Sequence, residues 1–186
     1  MKVNPTAIPD VLIIEPNVFR DQRGFFVETF NQRAFQSATG LSVGFVQDNH
    51  SRSIRGVIRG LHFQAPSAQG KLVRAVRGSV QDVAVDLRPN SPTQGQYVSI
   101  LLSEDDHLSI WIPPGFAHGF QALTATADVL YKTTQHYAPL DEHCLAWDDP
   151  SLSIDWQLSV APLTSAKDKL GLSLVAAIAV VSQAAA

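Results

Sequence analysis

The sequence predicts an all-β fold, an antiparallel sandwich or barrel with a few short peripheral helices. Apolar and polar residues alternate in many short stretches, which is typical of strands with one buried face. Turn-forming residues separate these stretches, and Gly and Pro alone contribute 11 each to the 186 residues. Segments with helical periodicity are few. Together the three observations favour a sheet protein.

The alternating pattern predicts eleven strands along the chain. In order, they are 11–14, 24–30, 44–48, 58–64, 71–77, 80–87, 96–102, 108–112, 118–123, 128–136 and 144–147. Asn31 is a favourable N-cap for a short helix over 32–39, and Gly40 can adopt the left-handed conformation that ends it. A second helix is expected to start near Thr164 or Ser165.

Length and composition indicate one globular domain over residues 1–186. A net charge of −3, 17% charged residues and 45% hydrophobic residues exclude a charged disordered chain and a coiled coil. The single cysteine, Cys144, excludes an internal disulfide and favours the reducing cytoplasm. The N-terminus lacks an apolar signal segment, and the apolar run 170–181 is too short to cross a bilayer. We therefore expect a soluble cytoplasmic protein without a membrane partner.

Charge is distributed unevenly along the chain. All nine arginines lie between Arg20 and Arg88, and the net charge is +4 up to Arg88 and −7 beyond it. Because the planar guanidinium suits phosphate, this asymmetry is compatible with an anionic ligand as well as with a solvated surface. The negative total and the lack of an extended basic run argue against nucleic acid as a partner.

The segment 80–87 places two carboxylates on one face of a predicted strand. Strict alternation sets Asp82 and Asp86 on the face opposite Val83 and Val85. That face is either the polar interior of a barrel, where each carboxylate needs a hydrogen-bond partner, or the solvent side of a sheet. The pattern leaves both alternatives open.

Three segments carry residues suited to chemistry, namely 59–64, 69–74 and 111–120. The last contains P-x-G-x-x-H, ending at His118, and its distance from Gly60 and His62 resembles that in the small β-barrels called cupins. Metal-binding cupins have His-x-His in the earlier segment, because a divalent ion needs several converging ligands. Here Gln64 stands two residues after His62. We therefore predict that no metal is bound and that His62 is available as an acid or base.

Ordered motifs extend this resemblance to one family. They are RGFFVETF (23–30), FVQDNHS (45–51), RGLHFQ (59–64), AQGKLVR (68–74), DVAVD (82–86), IPPGFAHGF (112–120), LYKTT (130–134) and WDDPS (147–151). In this order, over about residues 8–169, they resemble the dTDP-4-dehydrorhamnose 3,5-epimerase family. The resemblance implies a dimeric, cupin-like jelly-roll fold without metal or other cofactor. It also implies epimerisation of dTDP-4-dehydro-6-deoxyglucose at C3 and C5, a step towards dTDP-rhamnose.

The resemblance assigns four catalytic roles that fit this chemistry. A ketone at C4 acidifies the protons on C3 and C5, so the reaction needs a base, an enolate stabiliser and an acid on the opposite face. By resemblance, His62 is the base and Asp168 its carboxylate partner, Lys71 stabilises the C4 oxyanion, and Tyr131 is the acid. Taken singly, each is also compatible with a structural role in a strand or core.

The same resemblance assigns the substrate-binding positions. They are Arg23, Phe25, Glu28, Gln47, Asn49, Arg59, His118, Tyr137, Glu142 and Lys167. Arginine forks clamp a diphosphate, amides hydrogen-bond the base or sugar, and Tyr137 stacks on thymine. Strict alternation nevertheless sets Arg59 and His62 on opposite faces of one strand. A β-bulge, or a strand that starts after Arg59, is needed to bring them together.

Two features depart from the family pattern. Phe63 follows the base histidine where the family often has Tyr. The tail 170–186 is apolar rather than polar, and it is expected to form a packed helix, a swapped segment or a disordered end.

Other functions remain compatible with the sequence. One is epimerisation at C3 or C5 alone, or on a related nucleotide-linked ketosugar. Another is a cupin that binds sugar nucleotides without catalysis, and a third is a metal-dependent oxygenase or isomerase.

Overall fold

A computed structural model describes residues 1–185 as an open β-sandwich, which confirms the predicted all-β class. The thirteen strands are β1 Lys2–Pro5, β2 Leu12–Glu15, β3 Val18–Asp21, β4 Gly24–Val27, β5 Gln47–Ile54, β6 Ile58–Gln64, β7 Lys71–Arg77, β8 Ser79–Asp86, β9 Tyr97–Ser103, β10 Ser109–Ile112, β11 Phe116–Ala122, β12 Thr126–Thr133 and β13 Glu142–Cys144. The two α-helices are α1 Gln32–Thr39 and α2 Leu174–Ala184.

Two antiparallel sheets form the sandwich. The six-stranded sheet has the order β1-β2-β10-β7-β12-β5, and the five-stranded sheet has the order β13-β6-β11-β8-β9. Their facing sides enclose the main core, to which Val73 and Val129 contribute from one sheet and Ala84 and Phe120 from the other. Among the strands of residues 1–185, those of the β3–β4 hairpin pair only with each other.

The alternating pattern located the apolar strands better than the polar ones. β6 and β7 have the predicted bounds, whereas β5 begins at Gln47 instead of residue 44 and continues to Ile54. The prediction at 44–48 was wrong because the sequence of β5, QDNHSRSI, has hardly any apolar residues to alternate. β1 and β3 were missed because they are four-residue strands with mostly exposed side chains.

Helix α1 forms as the capping residues predict. The Asn31 side chain accepts a hydrogen bond from the backbone N–H of Ala34, and Gly40 ends the helix at a φ of 74°. The helix buries Phe35, whose ring lies edge-on to those of Phe45 and Trp111. Together with Ile14 and Leu72, these residues form a separate core cluster that attaches α1 to the six-stranded sheet.

The C-terminal segment differs from the prediction near Thr164. A 3-10 turn spans Asp168–Leu170, and the helix α2 starts only after Ser173, whose side chain accepts from the N–H of Ala176. The helix is shifted because the intervening residues bind β13: Leu172 N–H donates to the Cys144 carbonyl. Within residues 1–185, neither helix is long and apolar enough to span a membrane.

Helix α2 accounts for most of the apolar tail. Its Ala177 is fully buried in a second core cluster with Val83, Val85 and Ala117 of the five-stranded sheet. Both faces of β8 are therefore covered, by α2 on one side and by the sandwich interior on the other. Asp82 and Asp86 face the interior rather than solvent, and both are completely buried.

Candidate active site

A cavity of about 180 Å³ opens between the two sheets. Its walls come from different sheets, because β7 and β12 supply Lys71 and Tyr131 while β6 and β11 supply His62 and His118. The full lining is Ser51, Arg59, His62, Phe63, Gln64, Gln69, Lys71, His118, Gly119, Phe120, Tyr131, Tyr137 and Glu142. The cavity is thus lined mainly by polar side chains inside an otherwise apolar sandwich.

A β-bulge brings Arg59 and His62 to the same cavity. His62 pairs with His118 and Arg59 pairs with Phe120. The three steps from Arg59 to His62 on β6 therefore lie opposite only two steps, from His118 to Phe120, on β11. The extra residue lies at Gly60, where φ is +108° and an added Cβ would approach the His118 carbonyl oxygen to 2.6 Å. Only glycine fits this backbone. The predicted β-bulge, needed to bring Arg59 and His62 together, is confirmed.

His62 and Asp168 form a direct pair at the cavity wall. His62 Nε2 lies 2.6 Å from Asp168 Oδ1, and the carboxylate is buried while the imidazole remains one-third exposed. Burial acts to raise the pKa of Asp168, but hydrogen bonds from His62, Ser165 and the Gly60 backbone hold it below its ordinary value. The ionised carboxylate accepts the Nε2 proton and leaves the Nδ1 lone pair free.

Cys144 lies behind this pair. Its Sγ is 3.7 Å from Asp168 Oδ1, and the ligand atoms of His62, Cys144 and Asp168 all lie within 4.8 Å of one another. Burial raises the pKa of the Cys144 thiol to about 12, with the Asp168 charge adding to the effect. The thiol is therefore protonated near neutrality, whereas a metal ligand must be a thiolate.

Lys71 places a buried amine in the cavity. Its Nζ donates to the His62 carbonyl oxygen at 3.1 Å. Burial lowers the pKa of Lys71 to about 8, although the negative charges of Asp82 and Glu142 favour the ammonium form. At neutral pH the group is thus a buried cation largely screened from solvent, where its charge acts strongly on a nearby oxyanion.

His118 is held by Asp82 on the neighbouring strand. Its Nε2 lies 2.9 Å from Asp82 Oδ2, and both side chains are buried. Burial lowers the pKa of His118, only partly offset by Asp82, so the ring is a neutral imidazole near pH 7. Asp82, a buried carboxylate on the inner face of β8, thus has its hydrogen-bond partner in His118.

Tyr131 stands on the wall opposite His62. It is half-buried on β12, and burial raises the pKa of its hydroxyl above the ordinary value. The phenol therefore remains protonated over the physiological range and can donate a proton. An acid and a base consequently face each other from the two sheets.

The cavity mouth is lined by a connected polar group. The Tyr137 hydroxyl donates to Glu142, which also forms an ion pair with Lys167. Burial acts to raise the pKa of Glu142, but the hydrogen bonds from Lys167 and Tyr137 keep it low. Gln47 accepts from the Tyr137 backbone N–H and donates to Asn49.

Arg59 is fixed at another part of the cavity. Its Nε donates to Ser53 Oγ at 2.9 Å, and its Nη2 donates to the Arg52 carbonyl at 3.0 Å. The remaining N–H groups of the guanidinium are available to an anion.

Six of the ten predicted binding residues do not line this cavity. Gln47, Asn49 and Lys167 are connected to it through Tyr137 and Glu142, whereas Arg23, Phe25 and Glu28 lie apart from it. Arg23 forms an ion pair with Asp21 on the exposed β3–β4 hairpin, and the Phe25 ring lies 4.5 Å from that of His107. Glu28 accepts from Asn31 next to α1. The single chain therefore does not unite these three with the residues around His62.

Sequence reasoning missed several cavity residues. Gln64 was considered only as a missing metal ligand, yet it lines the cavity and accepts from the Ala138 N–H. For Asp82, which holds the cavity residue His118, the sequence left the inward and the solvent-facing orientation open and did not indicate this partner. Ser51 was not singled out, because a serine in a polar stretch carries no signal until the strand register is known.

The family model described as dTDP-4-dehydrorhamnose 3,5-epimerase matches residues 5–175. The chain belongs to this family. A dTDP-4-dehydrorhamnose 3,5-epimerase of Pseudomonas aeruginosa is 60% identical over 171 residues, covering 92% of this chain and 94% of the relative. One of Salmonella typhimurium is 54% identical, covering 90% and 92%.

Solved structures of the epimerase family share the fold. The crystal structure of a Legionella pneumophila dTDP-6-deoxy-D-glucose-3,5-epimerase in complex with dTDP-4-keto-L-rhamnose superposes with a TM-score of 0.92 at 46% identity. It covers 94% of this chain and 93% of the other. The cupin-like sandwich of this epimerase family is thus the fold of the present chain.

Proposed function

We propose that this protein epimerises dTDP-4-dehydro-6-deoxyglucose at C3 and C5 to give dTDP-4-dehydrorhamnose. The observation that carries the proposal is the placement of a base and an acid on facing walls. The His62–Asp168 pair comes from the five-stranded sheet side, and Tyr131 comes from the six-stranded sheet. Inversion at carbon requires proton removal on one face and proton delivery on the other, whereas binding alone does not.

The first half of the reaction is proton abstraction. His62 takes the proton from the carbon next to the C4 ketone, and the electron pair moves into the enolate with negative charge on the C4 oxygen. The imidazolium that forms is stabilised by Asp168, and the oxyanion is stabilised by the Lys71 ammonium. Since C3 and C5 both adjoin C4, the same cation serves both inversions.

The second half is reprotonation from the opposite wall. Tyr131 gives its hydroxyl proton to the enolate carbon, the C4 carbonyl reforms, and the configuration at that carbon is inverted. The phenolate regains a proton from solvent, and His62 releases the proton it abstracted. Each cycle is balanced without an oxidant or reductant, so we propose that neither a metal nor another cofactor takes part.

Proton exchange in deuterium oxide tests the reaction. Chelator-treated protein is incubated with dTDP-4-dehydro-6-deoxyglucose, and C3 and C5 are followed by NMR. We expect deuterium and inversion at both carbons. The His62→Ala variant should lose turnover while still binding dTDP. Inversion at one carbon only would contradict the double epimerisation, and activity restored by added metal would contradict the metal-free mechanism.

We further propose a homodimer in which the β3–β4 hairpin completes the partner's site. The hairpin exposes three aromatic rings, Phe19, Phe25 and Phe26, at 63%, 56% and 69%. The rings of Phe19 and Phe26 lie together, with centroids 6.4 Å apart, and exposed apolar groups of this size favour a protein contact. Arg23 and Phe25, both predicted to bind substrate, also lie on this hairpin, outside the cavity of their own chain.

Subunit mixing tests this arrangement. Arg23→Ala and His62→Ala are each expected to be nearly inactive as pure dimers. After unfolding and refolding together, mixed dimers contain one site with both residues intact, so about a quarter of the wild-type activity should return. No recovery in verified mixed dimers would show that Arg23 acts within its own chain, and full activity of the pure Arg23→Ala dimer would show that Arg23 is not needed.

We place the protein in the cytoplasm. Cys144, the only cysteine, is unpaired and buried, which suits a reducing compartment. Fractionation of cells producing the full-length protein, followed by detection of the protein in each fraction, tests this location.

A further inference from the structure

Three side chains of the types that ligate metals converge behind the cavity wall. His62, Cys144 and Asp168 each offer one ligand atom, and these three atoms lie within 4.8 Å of one another. Among residues 1–185, no other group of three such side chains lies as close together. The three come from β6, β13 and the 3-10 turn, so the fold brings them together. The proposed reaction uses two of them and assigns no role to the cysteine.

The spacing of the ligand atoms suits one small ion. Tetrahedral Zn²⁺ has bonds of about 2.0–2.3 Å to nitrogen, oxygen and sulfur, which holds the ligand atoms about 3.3–3.6 Å apart. In the protein, Asp168 Oδ1 lies 2.6 Å from His62 Nε2 and 3.7 Å from Cys144 Sγ. Displacements of about 1 Å are therefore enough to reach the tetrahedral arrangement.

The charges of the group also suit a divalent ion. A thiolate and a carboxylate together balance two positive charges, so the occupied site is neutral, as a buried site requires. Hydrogen bonds from Ser165 and the Gly60 backbone hold the Asp168 carboxylate in place, as the outer partners of ligating carboxylates do. Thiolate and imidazole ligands favour Zn²⁺ over Mg²⁺ and Ca²⁺, which prefer oxygen.

This group differs from the metal position of metal-binding cupins. Of the residues at the cupin motif positions, only His62 takes part. Gln64 stands where those proteins have a second histidine, and Nε2 of His118 is engaged by Asp82 at 2.9 Å. The other two members of the group, Cys144 and Asp168, lie outside both motifs.

We propose that His62, Cys144 and Asp168 form an inhibitory site for Zn²⁺. The S–H bond of Cys144 breaks, a Zn–S bond forms, and the thiol proton passes to solvent. The lone pair on His62 Nε2 binds the ion, so the ring proton that Nε2 carried must move to Nδ1. Nδ1 is the atom that takes the carbon-bound proton in the proposed reaction, and in the zinc-bound state it has no free lone pair. The inhibition rests on the proposed function, whereas the ion binding does not.

Binding is measured first, with the metal ions alone. Chelator-treated protein is dialysed against Zn²⁺ or Co²⁺, and the bound metal is counted. We expect one Zn²⁺ per chain with a Kd of about 1–10 µM, because the thiol must lose its proton on binding. Co²⁺ should give the near-ultraviolet charge-transfer absorption of a thiolate ligand. Cys144→Ala should lose this absorption, and binding of equal strength in that variant would overturn the proposal.

Inhibition is measured next, by epimerisation and by deuterium uptake at C3 and C5. Zn²⁺ should stop both in the parent, a chelator should restore them, and Mg²⁺ should have no effect. In metal-free buffer Cys144→Ala should keep the kcat of the parent, because its S–H contact with Asp168 is weak. The zinc concentration for half-inhibition should rise more than about 100-fold in this variant, since loss of even an outer-shell partner costs 10- to 100-fold in affinity.

His143→Ala is the matched control. His143 precedes Cys144 on β13, but its ring stacks on Phe63 at 5.3 Å and takes no part in the group. The variant should keep the zinc sensitivity of the parent. Equal inhibition of Cys144→Ala and the parent would overturn the proposal. A parent that binds Zn²⁺ as expected but does not epimerise in metal-free buffer would instead overturn the proposed function, while the zinc site would stand.

Discussion

Replacement of Asp168 by Asn is the sharpest test of the proposed base. The substitution keeps the size and the carbonyl oxygen that accepts from His62 Nε2, but removes the negative charge. Asp168 is 4% exposed and its Oδ1 lies 2.6 Å from Nε2. The change therefore acts mainly on the stability of the imidazolium that forms when His62 takes a proton.

The expected loss of kcat follows from the strength of the His62–Asp168 hydrogen bond that the substitution weakens. A hydrogen bond to a charged group contributes about 1.5–3 kcal/mol, which corresponds to roughly 10- to 150-fold in rate. The Asn side chain can also rotate and donate its NH₂ to Nε2, which selects the wrong tautomer and leaves a proton on Nδ1. Both effects lower kcat, so we expect a loss near the upper end of this range, about 100-fold.

The assay compares kcat for epimerisation with the rate of deuterium uptake at C3 and C5. Both should fall together, while the Kd for dTDP stays within about twofold of the parent, since Asp168 does not line the cavity. Asp149→Asn is a matched control, because Asp149 is a buried carboxylate that accepts from the Leu174 N–H in the same C-terminal region. It should reduce stability and leave kcat unchanged. A kcat loss below threefold in Asp168→Asn would refute the paired base.

Three further predictions concern other parts of the molecule. Because the pKa of Lys71 is lowered to about 8, its ammonium is lost as pH rises through that value, and kcat/KM should therefore fall above about pH 8. In a pH–rate profile, Lys71→Arg should move this fall in kcat/KM to higher pH. Gly60→Ala should lower both Tm and kcat, because the new methyl would meet the His118 carbonyl at a positive φ. Ala177→Asp buries a charge and should reduce the urea midpoint strongly, whereas Val175→Asp, at a 76% exposed site, should not.

The fold was predictable where the apolar pattern reports burial directly. β6, β7 and α1 have the bounds that alternation and capping indicate. The pattern failed at β5, whose inner face is polar, and at the four-residue strands β1 and β3, which bury little. A helix in the apolar tail was one of the open alternatives, but its packing on the five-stranded sheet depends on tertiary contacts.

For the site, the family resemblance supplied candidate residues but not their geometry. The family resemblance assigned roles to His62, Asp168 and Lys71, and these groups do lie together. Local periodicity could not locate the bulge at Gly60, because a bulge is a property of two paired strands. Nor could it show that Arg23 lies remote from the cavity of its own chain.

The place where the sequence pattern is weakest is also where the chemistry is concentrated. A sandwich interior is normally apolar, and the regular alternation of β7 and β12 reflects this. A cavity for the proposed nucleotide sugar needs polar groups on that same inner face, and the inner face of β5 is polar, with Ser51 lining the cavity. Such a strand cannot be stabilised by burial of its own apolar side chains. It is held instead by backbone pairing with β12 along its full length, from Gln47 opposite Thr133 to Ile54 opposite Thr126. The apolar residues of β12, Val129 and Ala127, thereby anchor a strand whose inner face is polar.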